Sequence, residues 1–326
     1  MTFIYKRLWQ GLGVLVGTLT LVFTIFAWVP DPARELAGQN EREEVVQAFR
    51  VKHGLDKPVF QRYITYMLNL VPFDSGGLRA PDLGISFITD RPVLDAIKDA
   101  LPATLLLACV AMLFASVIGV ATGLGIAVNG PSKFGDLIIS ICALGMSAPS
   151  FVVAILVAWL FGYVLHSYTG LPMTGGMVVV DPFEGPKLAL AHIILPSLTL
   201  GIRPLAVIVQ LSRNSALEVL DQPYVRTAKA KGLSKSRILF KHVLRNSLNP
   251  VITATSGWFA SMLAGAIFVE FVFGWKGMGL LMFKALESGD LPVVMGCTIV
   301  VATVFVLVNI VVDVLYGILD PRVRQS

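Results

Sequence analysis

The sequence predicts an all-α integral membrane protein with six transmembrane helices and one lobe outside the bilayer, between the first and second spans. Three observations carry this reading. Of the 326 residues, 55% are hydrophobic and only 14% charged, and mean hydropathy is +0.75, a balance far from that of a soluble domain. Apolar runs long enough to cross about 30 Å of hydrocarbon recur along the chain. Basic residues concentrate in one stretch, Arg213 to Arg245, which places that stretch on the cytoplasmic side. The net charge of +5 is therefore a statement about membrane orientation, and no nucleic acid partner is expected.

In chain order, Lys6 and Arg7 precede the run Leu8 to Val29. It exceeds a signal-peptide core and shows no small-residue cleavage site before Pro30, so residues 1–30 are read as an uncleaved first span with a cytoplasmic N-terminus. Residues 31–99 mix acids and bases, carry an amphipathic stretch from Glu41 to His53 and the turn-rich Asp74-Ser75-Gly76-Gly77, and read as an extracytoplasmic lobe. Residues 100–320 hold five further spans and the cytoplasmic loop 213–250, and residues 321–326 form a cytoplasmic tail. Pro102 begins the second span, to about Val128, with Ala115, Gly119, Gly123 and Ala127 on one face, a spacing that admits a close helix neighbour. The third span runs from about Leu137 to Leu165 across Pro149. A mid-span proline frees carbonyls, so Ser147 and Pro149 either line a pathway or mark a simple kink.

The fourth span, about Leu188 to Leu211, contains Arg203. A charge at membrane depth costs several kcal/mol unless hydrated or paired, so Arg203 faces a cavity or partner helix, or else snorkels to an interface. The fifth, about Val251 to Phe273, repeats small residues at Gly257, Ser261 and Gly265, as expected for packing or for lining a pathway. Pro292 to about Leu319 is the sixth, with Asn309, Asp313 and Tyr316 as a polar face that pins neighbouring structure.

Between the fourth and fifth spans, local chemistry predicts two short helices. Asp221 or Gln222 can cap the first, Pro223 suits its first position, and Gly232 supplies the left-handed residue that ends it, with Leu233 folding back. The helix is too short to persist in water alone, and it offers Tyr224, Val225 and Ala228 beside Arg226, Lys229 and Lys231 to a partner. Ser234 caps the second, whose Phe240, Leu244, Leu248 and Val251 repeat every four residues and predict one buried face.

The sequence contains no G-x-x-x-x-G-K-[ST] phosphate loop, no H-E-x-x-H and no G-x-S-x-G. His53, His166, His192 and His242 are scattered, and Cys109, Cys142 and Cys297 lie inside apolar runs, so neither a metal site nor enzymatic activity is expected. Bulk properties alone leave open a channel or ion-coupled carrier using Arg203, Glu270 and Asp313, or a membrane scaffold with no pathway.

The segment Tyr224-Val225-Arg226-Thr227-Ala228-Lys229-Ala230-Lys231-Gly232, with Leu244-Arg245-Asn246-Ser247-Leu248-Asn249-Pro250, resembles the cytoplasmic loop of permease subunits in binding-protein-dependent ABC importers. The likeness is to the B-type subunit of the dipeptide, oligopeptide and nickel branch. It extends to Asp82-Leu83-Gly84, Ser86-Phe87, Arg91-Pro92-Val93, Leu101-Pro102-Ala103-Thr104, Leu195-Pro196, Asp290-Leu291-Pro292-Val293-Val294 and Asp320-Pro321-Arg322. The general importer motif begins Glu-Ala-Ala where this chain has Arg226-Thr227-Ala228, which fits the peptide branch. Lys276 stands where that branch usually has proline, Gln210 where arginine is common, and Arg203 is an added charge.

The resemblance implies the type I ABC importer permease fold, in a bacterial inner membrane with both termini cytoplasmic. It also implies import of di- or oligopeptides, with nickel chelates or other small solutes as the alternative. Implied partners are a homologous second permease, two cytoplasmic ATP-binding subunits that hold the ATP and magnesium, and an extracytoplasmic substrate-binding protein. Pro223 to Gly232 would dock on the ATPase. This chain itself would bind no cofactor.

Overall fold

The apolar runs become helices, and the exceptions cluster where the sequence places proline or glycine. The computed structural model describes the backbone of residues 2–27, 33–34, 42–71, 73–74, 77–78, 80–181 and 185–319. In chain order the chain forms α1 (Thr2–Ala27), α2 (Glu43–Lys52), α3 (Val59–Leu70) and a minimal hairpin of β1 (Phe73–Asp74) with β2 (Gly77–Leu78). Next come α4 (Val93–Asn129), α5 (Lys133–Ser147) and α6 (Ser150–Val157), the last prolonged as a π-helix to Val164. A second hairpin, β3 (Val178–Asp181) with β4 (Gly185–Leu188), precedes α7 (Ile194–Leu220). There follow α8 (Pro223–Ala230), α9 (Lys235–Ile238), α10 (Arg245–Phe273), α11 (Met278–Glu287) and α12 (Leu291–Leu319). The two hairpins are additions to the all-α expectation.

Among the described residues four helical stretches are long and apolar enough to cross a membrane unaided: Trp9–Ala27, Val93–Asn129, Leu190–Leu220 and Leu291–Val311. Two bent pairs complete the six predicted spans if each is one crossing. Lys133–Ser147 and Ser150–Val164 meet at 114°, far sharper than a proline kink. Pro149 cannot donate a backbone hydrogen bond, and the chain extends through Ala148 and Pro149 before the helix restarts. The other pair, Pro250–Leu263 and Ala266–Phe273, bends by 55° at residues 264–265. Two expected boundaries shift. Pro102 lies inside α4, which already begins at Val93, and α7 continues past Leu211 to Leu220.

Contacts divide the chain into two compact units. In the first, residues 1–103 and 276–307, α1 and α12 run antiparallel. An added Cβ on Gly11 would lie 2.6 Å from Val306, while nearer the other end of α1 Phe23 packs with Leu291 and Met295. Lobe residues are pinned to the start of α12 by Asp290, which is buried and accepts from Ser86 Oγ at 2.5 Å and from the Phe87 N–H at 3.1 Å. Leu83, Val93 and Ile97 then join Met278, Val293, Val294 and Cys297 in one apolar cluster.

The second unit, residues 104–275 and 308–326, is built on the approach of α4 to α7. The small-residue face predicted on the second span makes that approach. An added Cβ on Gly119 would meet Ile208 at 2.8 Å, and one on Gly123 would meet the Val209 carbonyl oxygen at 2.5 Å. From the α7 side, Gly201 sits over the Ala111 carbonyl. Backbones this close exchange dispersion contacts that larger side chains would forbid.

Candidate coupling helix and solute path

The stretch around α8 folds largely as its sequence dictates. Pro223 occupies the first helical position, where its missing N–H has no intrahelical partner in any case. Gln222 holds the N-cap place with extended backbone but gives no side-chain cap, because its Nε2 donates back to the Glu218 carbonyl at 3.4 Å. The C-terminus is a Schellman motif: the Leu233 N–H reaches the Ala228 carbonyl at 3.3 Å and the Gly232 N–H reaches Lys229 at 3.0 Å. Gly232 sits at φ +77°, as its place required.

One face of α8 differs from expectation. Val225 and Ala228 were expected on the presented surface but point inward. They pack with Leu124 and Ala127 at the end of α4, Ala216 of α7, and Ile238 and Val243. A helix of eight residues gains its stability from such burial, so its apolar side is consumed by its own chain. The outward residues are Pro223, Tyr224, Arg226, Thr227, Lys229, Ala230, Lys231 and Gly232. Tyr224 is braced by Asn246, whose Nδ2 donates to its hydroxyl at 3.0 Å.

After Gly232, Ser234 accepts from the Arg237 N–H at 3.4 Å, the predicted cap. The helix then widens into a π-turn over Leu239–Leu244 before running on as α10. That turn inserts one extra residue. Buried positions therefore step from Ile238 to Val243 and then to Ser247 and Val251, and Phe240, expected on the buried face, is exposed. Pure four-residue spacing could not foresee the insertion.

Of the expected path residues, the structure brings two to one cavity. A space of about 130 Å³ is lined by Ala148, Ser150, Thr199, Arg203, Trp258 and Ser261, among others. Ser147 and Pro149 flank that lining at the break between α5 and α6. Arg203 Nη2 donates to the Met146 carbonyl at 3.4 Å, one of the groups the break leaves without a helical partner. Gly257 is exposed, and among the described residues nothing lies within 4 Å of an added Cβ. The surroundings of Gly265 and the side chains of Asp313 and Tyr316 lie outside the described residues. Asn309 is half-buried on α12. Glu270 is fully buried and accepts from Thr104 Oγ1 at 2.6 Å, so it belongs to the packing of α10 on α4 and not to the cavity wall. Among the described residues no cluster of His, Cys, Asp and Glu is suited to hold a metal.

Comparison with known proteins bears on this arrangement. Residues 115–325 match the family described as binding-protein-dependent transport system inner membrane component, and residues 1–108 match the N-terminal region of such membrane components. The chain belongs to this family of inner membrane transport components. Among its relatives, the dipeptide transport system permease protein DppB of Escherichia coli (strain K12) is 36% identical over 348 aligned positions, covering 100% of this chain and 99% of that protein. The di/tripeptide transport system permease protein DppB of Pseudomonas aeruginosa (strain UCBPP-PA14) is also 36% identical, over 342 positions, with 100% and 99% covered. In three dimensions the chain is similar to an inward-facing methionine ABC transporter, MetNI, with TM-score 0.55 and 18% identity over 70% of this chain and 97% of that one. That likeness establishes the type I ABC importer permease fold. Family membership also makes the chain a multi-pass inner membrane protein whose transport depends on a binding protein.

Several long-range contacts had no reading in the sequence: the Asp290 clamp on Ser86 and Phe87, the Arg203 bond to Met146, and the Thr104–Glu270 pair. Each joins residues at least 57 positions apart, beyond the reach of local periodicity.

Proposed function

We propose that this chain is the permease subunit of an ATP-driven importer of di- or oligopeptides, contributing half of the pathway. A homologous second permease would supply the other half. Two ATPase subunits, holding the ATP and magnesium, would dock on the outward face of α8, and a substrate-binding protein would deliver peptide at the opposite face of the membrane. Both termini would then be cytoplasmic. Similarity along the whole length to dipeptide permeases is the observation that carries the substrate class, and it favours peptides over nickel chelates. A channel or carrier working alone is disfavoured by Glu270, whose carboxylate is turned into the packing away from the cavity.

The chemistry of the cavity fits a peptide. Arg203 lies ten residues, about 15 Å of helix, before Arg213. At that depth a guanidinium requires an anionic or polar partner. Among the described residues it bonds only a backbone carbonyl, and no carboxylate lies in ion-pair range. The C-terminal carboxylate of a passing peptide would supply that partner, with Ser150 and Ser261 offering hydroxyls on the same wall.

Uptake by the complete importer in vesicles tests both levels. Labelled dipeptide should enter only with the ATPase and ATP present, and nickel should not compete. Accumulation without the ATPase would reject the importer reading. Arg203→Gln should lower uptake of free-acid peptides by about tenfold or more, as expected for a charge-assisted hydrogen bond, and leave C-terminal amides unchanged. Equal loss for acid and amide would reduce Arg203 to a support for the α5–α6 break.

A further inference from the structure

We infer that α3, the second helix of the extracytoplasmic lobe, lies in the membrane interface with Phe60, Ile64 and Leu68 against phospholipid acyl chains. Three flanks of this helix have three different surroundings. Tyr63, Tyr66 and Leu70 face its own unit: the tyrosines join the cluster of Phe23, Leu291 and Met295, and Leu70 packs on the cluster around Val93. Gln61 and Thr65 are polar and exposed on another flank. Between these flanks Phe60, Ile64 and Leu68 follow at four-residue spacing, 75%, 39% and 63% exposed, a stripe that none of the described residues covers.

Depth identifies the occupant. Phe23 is four residues below the end of α1 at Ala27, about 6 Å, and Met295 is four residues into α12 from Leu291. The antiparallel pairing of α1 with α12 puts Phe23, Leu291 and Met295 at one level in the bundle, just inside the ends of both spans. The Tyr63 hydroxyl reaches lower still, to Thr20 Oγ1 at 2.7 Å, seven residues or about 10 Å below Ala27. A helix whose tyrosines insert at that level cannot stand clear in water. Beside it, α1 exposes the apolar Leu21 and Ile25 at the same height. Tyrosines at the boundary, an apolar flank toward the bilayer and a polar flank toward water are the arrangement of an interfacial helix. The inference does not depend on which solute is carried.

The complete importer, reconstituted in phosphatidylethanolamine–phosphatidylglycerol nanodiscs, allows a direct test. A nitroxide is attached through p-acetylphenylalanine placed in turn at Phe60, Ile64, Leu68, Gln61 and Thr65, which leaves the natural cysteines untouched. At positions 60, 64 and 68 the probe should collide readily with oxygen and poorly with a water-soluble nickel chelate, and at 61 and 65 the order should reverse. Nickel access at 60, 64 and 68 equal to that at 61 and 65 would mean that the stripe faces water and would overturn the inference. Shielding from both reagents at 60, 64 and 68 would mean that a protein partner covers it, and would overturn the inference equally.

Discussion

Two short helices outside the spans, α8 and α3, solve the same folding problem and end with opposite surfaces. Neither is long enough to persist alone, and each is held by inserting one flank among the ends of longer helices. For α8 the inserted residues are Val225 and Ala228, and for α3 they are Tyr63 and Tyr66. What remains outward differs. On α8 it includes Arg226, Thr227, Lys229 and Lys231; on α3 it is an apolar stripe, Phe60, Ile64 and Leu68, beside the polar Gln61 and Thr65. A basic, hydrated face suits a soluble protein, and an apolar one at span depth suits lipid. The difference teaches that the inserted flank decides whether such a helix folds, while the free flank decides what it meets.

That division can be attacked by mutation. The largest effect is expected from Val225→Asp, which places a carboxylate in a site with no exposure and should cost several kcal/mol, unseating α8. Peptide uptake should vanish together with peptide-stimulated ATPase activity. Gly232→Val comes next. No atom of the described residues lies within 4 Å of an added Cβ, so the penalty is that of φ +77°, about 1–2 kcal/mol, larger for a β-branched residue. The protein should insert normally and transport should fail, and normal uptake by a stably inserted variant would break the account of the helix stop. Phe60→Ser with Leu68→Ser should leave the fold intact, lower the thermal midpoint in nanodiscs by a few degrees, and shift it less in detergent.

The smallest effect is expected from Lys52→Ala. Lys52 Nζ bonds Asp90 Oδ1 at 2.7 Å and holds that carboxyl below its usual pKa, but both groups are well exposed. The stabilisation exists above the ordinary carboxylate range and fades as pH falls through the lowered value. At neutral pH neither uptake nor midpoint should change measurably, since exposed pairs contribute little.

How far the sequence could be read follows from the range of each interaction. The limits of α8, its Pro223 start and its Gly232 stop depend on residues within one turn, and all were legible. So was the close face of α4, because Gly119 and Gly123 carry their purpose in their size. The register after Ile238 was not, since a π-turn leaves no mark in four-residue spacing. Nor was the 114° break, because Pro149 signals an interruption without its angle. The free stripe of α3 could have been found from Phe60, Ile64 and Leu68 alone, but its depth requires the Tyr63 bond to Thr20. For Arg203, its bond to the Met146 carbonyl joins residues 57 positions apart, beyond local reading.

The most direct test places a photo-crosslinking residue at Thr227 or Ala230 on the free flank of α8, in the purified importer with its identified ATPase, binding protein and lipid. Irradiation should join this chain to the ATPase subunit, more strongly in one nucleotide state than in another, while the same probe at Leu68 should capture phospholipid. Adducts of Thr227 and Ala230 with lipid or with the second permease, and none with the ATPase in any nucleotide state, would contradict the assignment of α8 as the coupling helix.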